Sequence, residues 1–318
     1  MQSIGRQVYR CTLPFTTTIQ SRSVSTEFPK FATIEIEQAA RGVVHVKLNR
    51  PKARNAFTPE LWTDLHKTFD HLDRNSSCRS IVLSGNGQSF CAGIDLKLGL
   101  AELMKTVQSD GKDVGRRGFA IRDLIKKYQA SYTSLESCRK PIITAIHSHC
   151  FGAATSLITA ADIRLASKDA VFSIKEIDVG LAADVGVLQR IQKIVGNDSW
   201  TREITYTARS FSADEALKQG TGPSNWTYDC KDLGFVSRLF DSRDDCVRAA
   251  IELAVEIASK SPIAVQGSKL ALNHARNHSI DSSLDWMANW NQTHLQTEDM
   301  IRIAQSMMNK TKPEFEDL

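Results

Sequence analysis

The stretch "KPIITAIHSHCFGAATSLITAADIRLAS", Lys140–Ser167, decides the fold class, because it joins a strand, a tight loop, a helix and a second strand. Its apolar run "IITAI" predicts a buried strand, and "DIRLAS" predicts another. Between them, "GAATSLITAAD" combines small and apolar residues in the manner of a closely packed helix. Strands and helices that alternate in this order indicate an α/β fold.

The same alternation extends outward from this stretch in both directions. "GVVHVKLN" (residues 42–49) alternates apolar and polar residues, which predicts a half-buried strand. "TPELWTDLHKTFDHLDR" follows, with Thr58 placed to cap a helix and Pro59 at its first position. From about Asp241 the chain reads as helical throughout. We therefore expect a tail at residues 1–30, an α/β core at 31–240 and a helical region at 241–318.

Composition excludes several classes of protein. The chain has 318 residues and a net charge of +4 spread along its length, which implies neither nucleic acid nor a membrane surface as a partner. No apolar run is long enough to span a bilayer. Its seven cysteines form no CxxC pair, which is typical of reduced thiols inside cells. The sequence carries no signature of a metal, a flavin or a nicotinamide cofactor. The group "HSHC" (residues 147–150) could hold a metal, but it directly follows a predicted strand, and we interpret it as ordinary polar residues at the strand end.

The first thirty residues differ from the rest in composition. They are rich in Ser and Thr, they include Arg6, Arg10 and Arg22, and no acidic residue precedes Glu27. This pattern predicts a mitochondrial transit peptide, and a disordered tail is the alternative. The C-terminal "FEDL" is not a peroxisomal Ser-Lys-Leu signal. We expect the mitochondrial matrix as the location.

Two loop-to-helix junctions place small residues where backbone N–H groups are exposed. "FCAGIDL" (residues 90–96) and "CFGAATSL" (residues 150–157) each follow a predicted strand. Two N–H groups directed at one point would stabilise an oxygen atom that gains negative charge, as in an oxyanion hole. Each junction is weak evidence alone, because Ala and Gly are common wherever a helix packs tightly.

Together with two further segments, these junctions resemble a known family. "NRPKARNAFTPEL", "FCAGIDL", "KPIITAIHSHCFGAATSLITAADIRLAS" and "FSIKEIDVGLAADVGVLQRI" resemble the enoyl-CoA hydratase/isomerase (crotonase) superfamily, in its order and at roughly its spacing. "IKEIDVGLAADVGVLQRI", "TARSFSADEAL" and "SKSPIAVQGSK" resemble its dienoyl-CoA isomerase branch most. The resemblance implies a spiral of ββα turns with a C-terminal helical trimerisation region, and therefore a homotrimer or homohexamer. An apolar core within one protomer is the alternative for the helical region.

The resemblance also implies an active site that takes an acyl-CoA thioester and no further cofactor. Glu176 would remove a proton from C2 of a 3,5-dienoyl-CoA, and Asp184 would protonate C6. The N–H groups of Ala92 and Ala153 would form the oxyanion hole. The remaining substrate-binding positions are Gly93, Ile94, Asp95 and Leu96, and the CoA phosphates or adenine would contact Lys52 and Arg54. Arg50 is either a further CoA contact or structural.

Each candidate has a competing interpretation. Asp184 stands where a helix N-cap belongs, and a capping carboxylate would stay ionised. Glu176 could instead pair with Lys175 or Arg190, and Asp178 reads as a solvated or paired residue.

The sequence also departs from the family pattern. Ser156 replaces the acidic residue that hydratases use, which disfavours a hydratase, and the turn Gly152-Ala153-Ala154 replaces Gly-Gly-Gly. A 3-enoyl-CoA isomerase and a non-catalytic acyl-CoA-binding protein of the same superfamily also fit this sequence. His149 replaces a typical glycine, where we favour a surface side chain over a donor to the thioester or CoA. Residues 221–232 look inserted.

Overall fold

The computed structural model describes residues 28–108, 113–219 and 234–318, and within them strands and helices alternate as predicted. The strands are β1 (Ile34–Ala40), β2 (Val43–Leu48), β3 (Ser80–Gly85), β4 (Ile142–Ile146), β5 (His149–Phe151), β6 (Ile163–Ser167), β7 (Val171–Ser173), β8 (Phe211–Ser212) and β9 (Arg238–Phe240). The helices of the core are α1 (Pro59–Arg74), α2 (Gly99–Val107), α3 (Val114–Ser137), α4 (Ala153–Thr159), α5 (Val187–Arg190), α6 (Asp198–Thr207) and α7 (Ala213–Lys218). The C-terminal helices are α8 (Arg243–Ala258), α9 (Pro262–Ala275), α10 (Ile280–His294) and α11 (Glu298–Asn309).

The strands form two sheets. The larger has the order β1-β2-β3-β4-β6-β9, in which β1 and β2 are antiparallel and the other neighbours are parallel. The smaller has the order β5-β7-β8. An isolated bridge between Cys91 and Cys150 joins the "FCAGIDL" segment to the smaller sheet. Both predicted junctions therefore lie side by side, and the predicted α/β class is confirmed.

The start of α1 shows how the local sequence sets an element. The Thr58 hydroxyl accepts the Leu61 N–H at 3.2 Å, and Pro59 occupies the first turn, where a missing N–H costs nothing. The apolar face of this helix is fully buried in the main core. The predicted N-cap and first position of α1 are thus confirmed.

Strand β2 is more deeply buried than its alternating sequence predicts. Among its residues only Lys47 is not buried, and even His45 is enclosed, between Glu37 and Ser84. The reason is α8, which covers the second face of the large sheet. Alanines at positions 250, 254 and 258 of α8 let its backbone approach Val43 and Val82 closely. The first C-terminal helix therefore belongs to the core of the protomer, and the domain division at residues 30 and 240 stays a prediction.

The later C-terminal helices leave apolar side chains in solvent. Helix α10 has no buried residue, and Ile280 and Leu284 on it are 78% and 63% exposed. Leu272, Leu295, Met307 and Met308 are also more than half exposed. An apolar core within the protomer therefore does not account for these positions.

Several sequence predictions lie outside the described residues. These are nearly all of the predicted transit peptide, the inserted segment at residues 221–232, Cys11 and Cys230. The other five cysteines are buried free thiols. Within the described ranges, no helix is both long and apolar enough to cross a membrane, and no group of three His, Cys, Asp or Glu side chains is placed to hold a metal ion.

Candidate active site

A mainly apolar cavity of about 260 Å³ lies where the two junctions meet. Helix α3, the "AGIDL" segment, the start of α4 and the segment after β7 form its walls. It is lined by Trp62, Ala92, Gly93, Ile94, Leu96, Gly99, Leu124, Ile125, Tyr128, Phe151, Gly152, Ala153, Lys175, Glu176, Val179, Leu181, Asp184 and Val185. Glu176 and Asp184 are the only acidic side chains among these described lining residues. The structure therefore brings the two predicted carboxylates to one cavity.

Glu176 forms no ion pair with any residue that the structure describes. It begins a short 3₁₀ turn directly after β7, and its Oε2 atom is buried without a hydrogen bond to any described residue. Burial, and to a smaller extent the negative charge of Asp184, raise the pKa of Glu176 to about 7. Glu176 pairs with neither Lys175 nor Arg190. Lys175 instead pairs with Asp178 at 2.9 Å, and Arg190 pairs with Glu136 at 2.8 Å. An unpaired carboxylate with this pKa suits a general base.

Asp184 lines the cavity and is exposed to solvent. Burial raises the pKa of Asp184, because the apolar wall replaces part of its hydration even though the residue is not enclosed. The N-cap interpretation is wrong: the cap residue of α5 is Gly186, and no side chain caps that helix. The side-chain amide of Gln129 donates to the backbone carbonyl of Asp184 at 2.6 Å and so ties this segment to α3.

The start of α4 presents the first predicted oxyanion donor. Ala153 is the first residue of the helix and lines the cavity, and its N–H has no acceptor among the described residues. Gly152 before it has φ +52°, a left-handed conformation that glycine adopts without strain. A Cβ built on Gly152 would lie 3.7 Å from Oε1 of Glu176. The base and this N–H therefore face the same part of the cavity.

The second predicted donor is not supported by the structure. The N–H of Ala92 donates to the carbonyl of Arg54 at 2.9 Å, so it is already satisfied. Gly93 and Asp95 both bond to Phe57, through the Gly93 carbonyl at 2.7 Å and the Asp95 N–H at 2.9 Å. Ile94 lies between them, so its own N–H points away from Phe57, and no described residue accepts it. Ile94 therefore has an available N–H beside the cavity, whereas Ala92 does not.

Asp95 also has a different role from the one predicted. Its side chain does not line the cavity; its carboxylate accepts the N–H groups of Lys97 and Leu98 at 3.2 Å and the Arg50 guanidinium at 3.3 Å. It therefore stabilises the loop before α2. The other predicted positions, Gly93, Ile94 and Leu96, do line the cavity.

The predicted CoA contacts lie on the surface. Lys52 and Arg54 are exposed, and neither has an ion pair within the described part of the chain. Arg50 instead donates to the carbonyl of Ala56 and pairs with Asp95, so the structural interpretation of Arg50 fits its contacts.

The two unusual residues near the site differ in their surroundings. Ser156 is completely buried in α4, and its hydroxyl has no partner among the described residues. His149 is partly buried, and its Nδ1 contacts the hydroxyls of Ser89 and Ser148 at 3.1 and 3.0 Å. It does not line the cavity. The prediction of a surface side chain for His149 is therefore only partly right, since two serines hold the ring in place.

Sequence reasoning missed the aromatic and aliphatic residues of the cavity wall. Trp62 of α1 and Leu124, Ile125 and Tyr128 of α3 line the cavity. The three α3 residues stand at helical spacing, which is a sequence signal for a buried stripe. That signal does not distinguish a cavity wall from a packed core.

Comparison with known proteins agrees with this geometry. The sequence model of the enoyl-CoA hydratase/isomerase family matches residues 38–318. The chain belongs to this family. A mouse family member named "Delta(3,5)-Delta(2,4)-dienoyl-CoA isomerase, mitochondrial" is 46% identical over 280 residues, which cover 88% of this chain and 80% of the relative. An Arabidopsis thaliana family member named as the peroxisomal form of that isomerase is 40% identical over 290 residues, 91% of this chain and 98% of the relative.

Solved structures place the chain in the same fold. The crystal structure of an enoyl-CoA hydratase from Bacillus anthracis matches with a TM-score of 0.75 at 25% identity. The match covers 89% of this chain and 99% of the hydratase. The fold class predicted from the sequence is thus the fold of the enoyl-CoA hydratase/isomerase family.

Proposed function

We propose that this chain converts a 3,5-dienoyl-CoA thioester into its 2,4-dienoyl isomer. The observation that carries the proposal is a pair of carboxylates, Glu176 and Asp184, without ion-pair partners among the described residues and on the wall of one apolar cavity. The names of relatives at 40–46% identity over most of the chain support the same activity.

The reaction needs proton transfer at two separate carbons. Loss of the proton at C2 forms the C2=C3 bond, the C3=C4 electron pair moves to C4=C5, and the C5=C6 pair takes a proton at C6. C2 and C6 are about 5 Å apart in an extended chain with ordinary bond lengths. One fixed carboxylate does not reach both carbons, whereas two carboxylates along one cavity do.

The surroundings of each carboxylate suit its proposed role. Glu176 is the general base, and a pKa of about 7 leaves a useful fraction of it ionised near neutral pH. Asp184 is the general acid, because burial raises its pKa and so makes it hold a proton more readily than an ordinary aspartate does. Each turnover leaves Glu176 protonated and Asp184 ionised. Asp184, which is exposed to solvent, regains a proton from water, and Glu176 releases the C2 proton to water once the product has left the cavity.

Backbone N–H groups would stabilise the intermediate. Removal of the C2 proton makes the thioester oxygen enolate-like, and preorganised donors at that oxygen lower the barrier. We assign this role to Ala153 and Ile94, whose N–H groups are available beside the cavity. The reaction needs no cofactor beyond the coenzyme A that the substrate carries.

The remaining parts of the proposal concern binding, assembly and location. We propose that Lys52 and Arg54, which are exposed, contact the CoA phosphates. The exposed apolar side chains of α10 support assembly into a homotrimer or homohexamer. We propose the mitochondrial matrix as the location, in line with the mouse relative's name, although the Arabidopsis relative is named peroxisomal.

The direct test is purified protein with 3,5-dienoyl-CoA, followed by the absorbance of the 2,4-dienoyl product. We expect turnover in the parent and a loss of about 10²- to 10⁴-fold in both Glu176→Gln and Asp184→Asn. Asp178→Asn is the matched control, because this neighbouring carboxylate is exposed and paired with Lys175.

Parallel assays distinguish the competing functions. Water addition to a 2-enoyl-CoA would indicate a hydratase, which the uncharged Ser156 in α4 disfavours. Turnover of a 3-enoyl-CoA that is indifferent to Asp184→Asn would indicate a single-bond isomerase. Binding of acyl-CoA without any turnover would contradict an enzymatic function.

A further inference from the structure

A rigid pair of aromatic rings forms one wall of the cavity. The rings of Trp62 and Tyr128 are stacked, with centroids 3.8 Å apart and planes at 20°. Both residues line the cavity, yet they are only 2% and 8% exposed. Each therefore shows a small part of its surface to the cavity and packs its remainder against protein.

A hydrogen bond from its polar group holds each ring in place. The indole Nε1–H of Trp62 donates to the hydroxyl of Tyr132 at 3.1 Å, and the ring lies 5.3 Å from that of Phe57. The hydroxyl of Tyr128 donates to a carboxylate oxygen of Glu102 on α2. Hydrogen bonds at the polar end of each ring fix the orientation of the stack.

The two stacked rings line the same cavity as both carboxylates. Tyr132, which holds Trp62, is buried close enough to Glu176 and Asp184 that both charges contribute to raising its pKa. Gln129, the residue after Tyr128, donates to the backbone carbonyl of Asp184. The reacting carbons C2 to C6 would lie between those same carboxylates.

The chemistry of those carbons favours such a wall. In the intermediate, negative charge is delocalised from the thioester oxygen to C6, and delocalisation requires these atoms to stay in one plane. Conjugated systems also gain from contact with aromatic surfaces in the way that aromatic pairs do. A saturated or singly unsaturated chain has no extended π system and gains less.

We propose that the Trp62–Tyr128 stack determines specificity by selecting conjugated dienoyl chains over saturated and monoenoyl chains. This inference rests on the proposed isomerase function. The stack acts by binding and flattening the conjugated carbons, while Glu176 and Asp184 move the protons.

The test compares binding of 2,4-dienoyl-CoA with binding of the saturated acyl-CoA of equal length. We expect Trp62→Leu to reduce the preference for the dienoyl ligand by roughly 2- to 12-fold, the range that aromatic contacts contribute. It should also reduce the shift of the dienoyl absorbance band on binding. Tyr128→Leu is the second variant, should Trp62→Leu fold poorly, and is expected to act in the same direction.

Two controls isolate the aromatic surface. Tyr128→Phe keeps the ring but removes the bond to Glu102, and it should retain most of the preference. Trp200→Leu removes a tryptophan of another aromatic cluster, beside Phe211, and should leave the preference unchanged. Equal weakening of both ligands in Trp62→Leu and Tyr128→Leu, or no change in either, would overturn the inference.

The outcome is distinguishable from failure of the proposed function. If the parent does not isomerise 3,5-dienoyl-CoA, the proposed function fails, and the specificity role for the reaction fails with it, whatever the binding ratios show. If the parent is active and the leucine variants keep the dienoyl preference, only the role of the stack is wrong.

Discussion

Replacing Glu176 by Gln should stabilise the folded protein in a manner that depends on pH. The pKa of Glu176 rises from its ordinary value of 4.5 to about 7 on folding. The folded chain therefore binds the proton more tightly than the unfolded chain does. The contribution of Glu176 to the free energy of unfolding is therefore most favourable below pH 4.5. It falls as pH rises and reaches its minimum above pH 7.

The size of this effect follows from the pKa difference. Each pKa unit corresponds to about 1.4 kcal/mol, so ionised Glu176 costs the folded state about 3 kcal/mol at high pH. Part of that cost is already present at pH 5. Between pH 5 and pH 8, the stability advantage of Glu176→Gln over the parent should therefore grow by roughly 2.5 kcal/mol.

Urea denaturation at fixed protein concentration measures this difference, because unfolding of an oligomer depends on concentration. The five tryptophans provide the fluorescence signal. Asp178→Asn is the control, since its exposed carboxylate is paired with Lys175, and its stability relative to the parent should change little over the same range. A Glu176→Gln advantage that is equal at pH 5 and pH 8 would refute the burial of an unpaired base.

Three further predictions concern the oxyanion hole, CoA binding and assembly. Ala153→Pro removes one N–H at a helix position that tolerates proline, so kcat for 3,5-dienoyl-CoA should fall about 10²- to 10³-fold. The control Ala153→Gly keeps the N–H, and its kcat should stay within tenfold of the parent's. Equal kcat values in the two variants would exclude Ala153 as a donor. The double variant Lys52→Ala, Arg54→Ala should raise KM several-fold at unchanged kcat, and the increase should be smaller in high salt. The control Lys260→Ala should leave KM unchanged. An unchanged KM in the double variant would mean that CoA binds elsewhere. Ile280→Asp with Leu284→Asp should lower the mass measured by light scattering relative to the parent, and a monomeric parent would contradict the proposed assembly.

Much of the fold was predictable because its signals are local. The capping of α1 by Thr58 depends on residues within one turn, and it appears as predicted. The position of Glu176 and Asp184 on one short segment also favours a shared cavity. The burial of β2 was not predictable, since it depends on α8, a helix nearly two hundred residues later in the chain.

The oxyanion hole shows most clearly what the sequence could not predict. "AGIDL" indicates that some N–H in the segment is free, but not which one. The choice between Ala92 and Ile94 depends on Arg54 and Phe57, which accept the neighbouring N–H groups from another part of the chain. Likewise, the sequence does not show that Arg50 engages Asp95 and removes that carboxylate from the cavity.

The position of solvent-derived hydrogen in the product tests the proposed proton transfers most directly. Turnover of 3,5-dienoyl-CoA in D₂O, with the product analysed by NMR, should place one deuterium at C6, because Asp184 is open to solvent and delivers the proton there. Deuterium at C2 or C4 instead of C6, or a product with a single shifted double bond, would contradict removal of the C2 proton by Glu176 and protonation of C6 by Asp184.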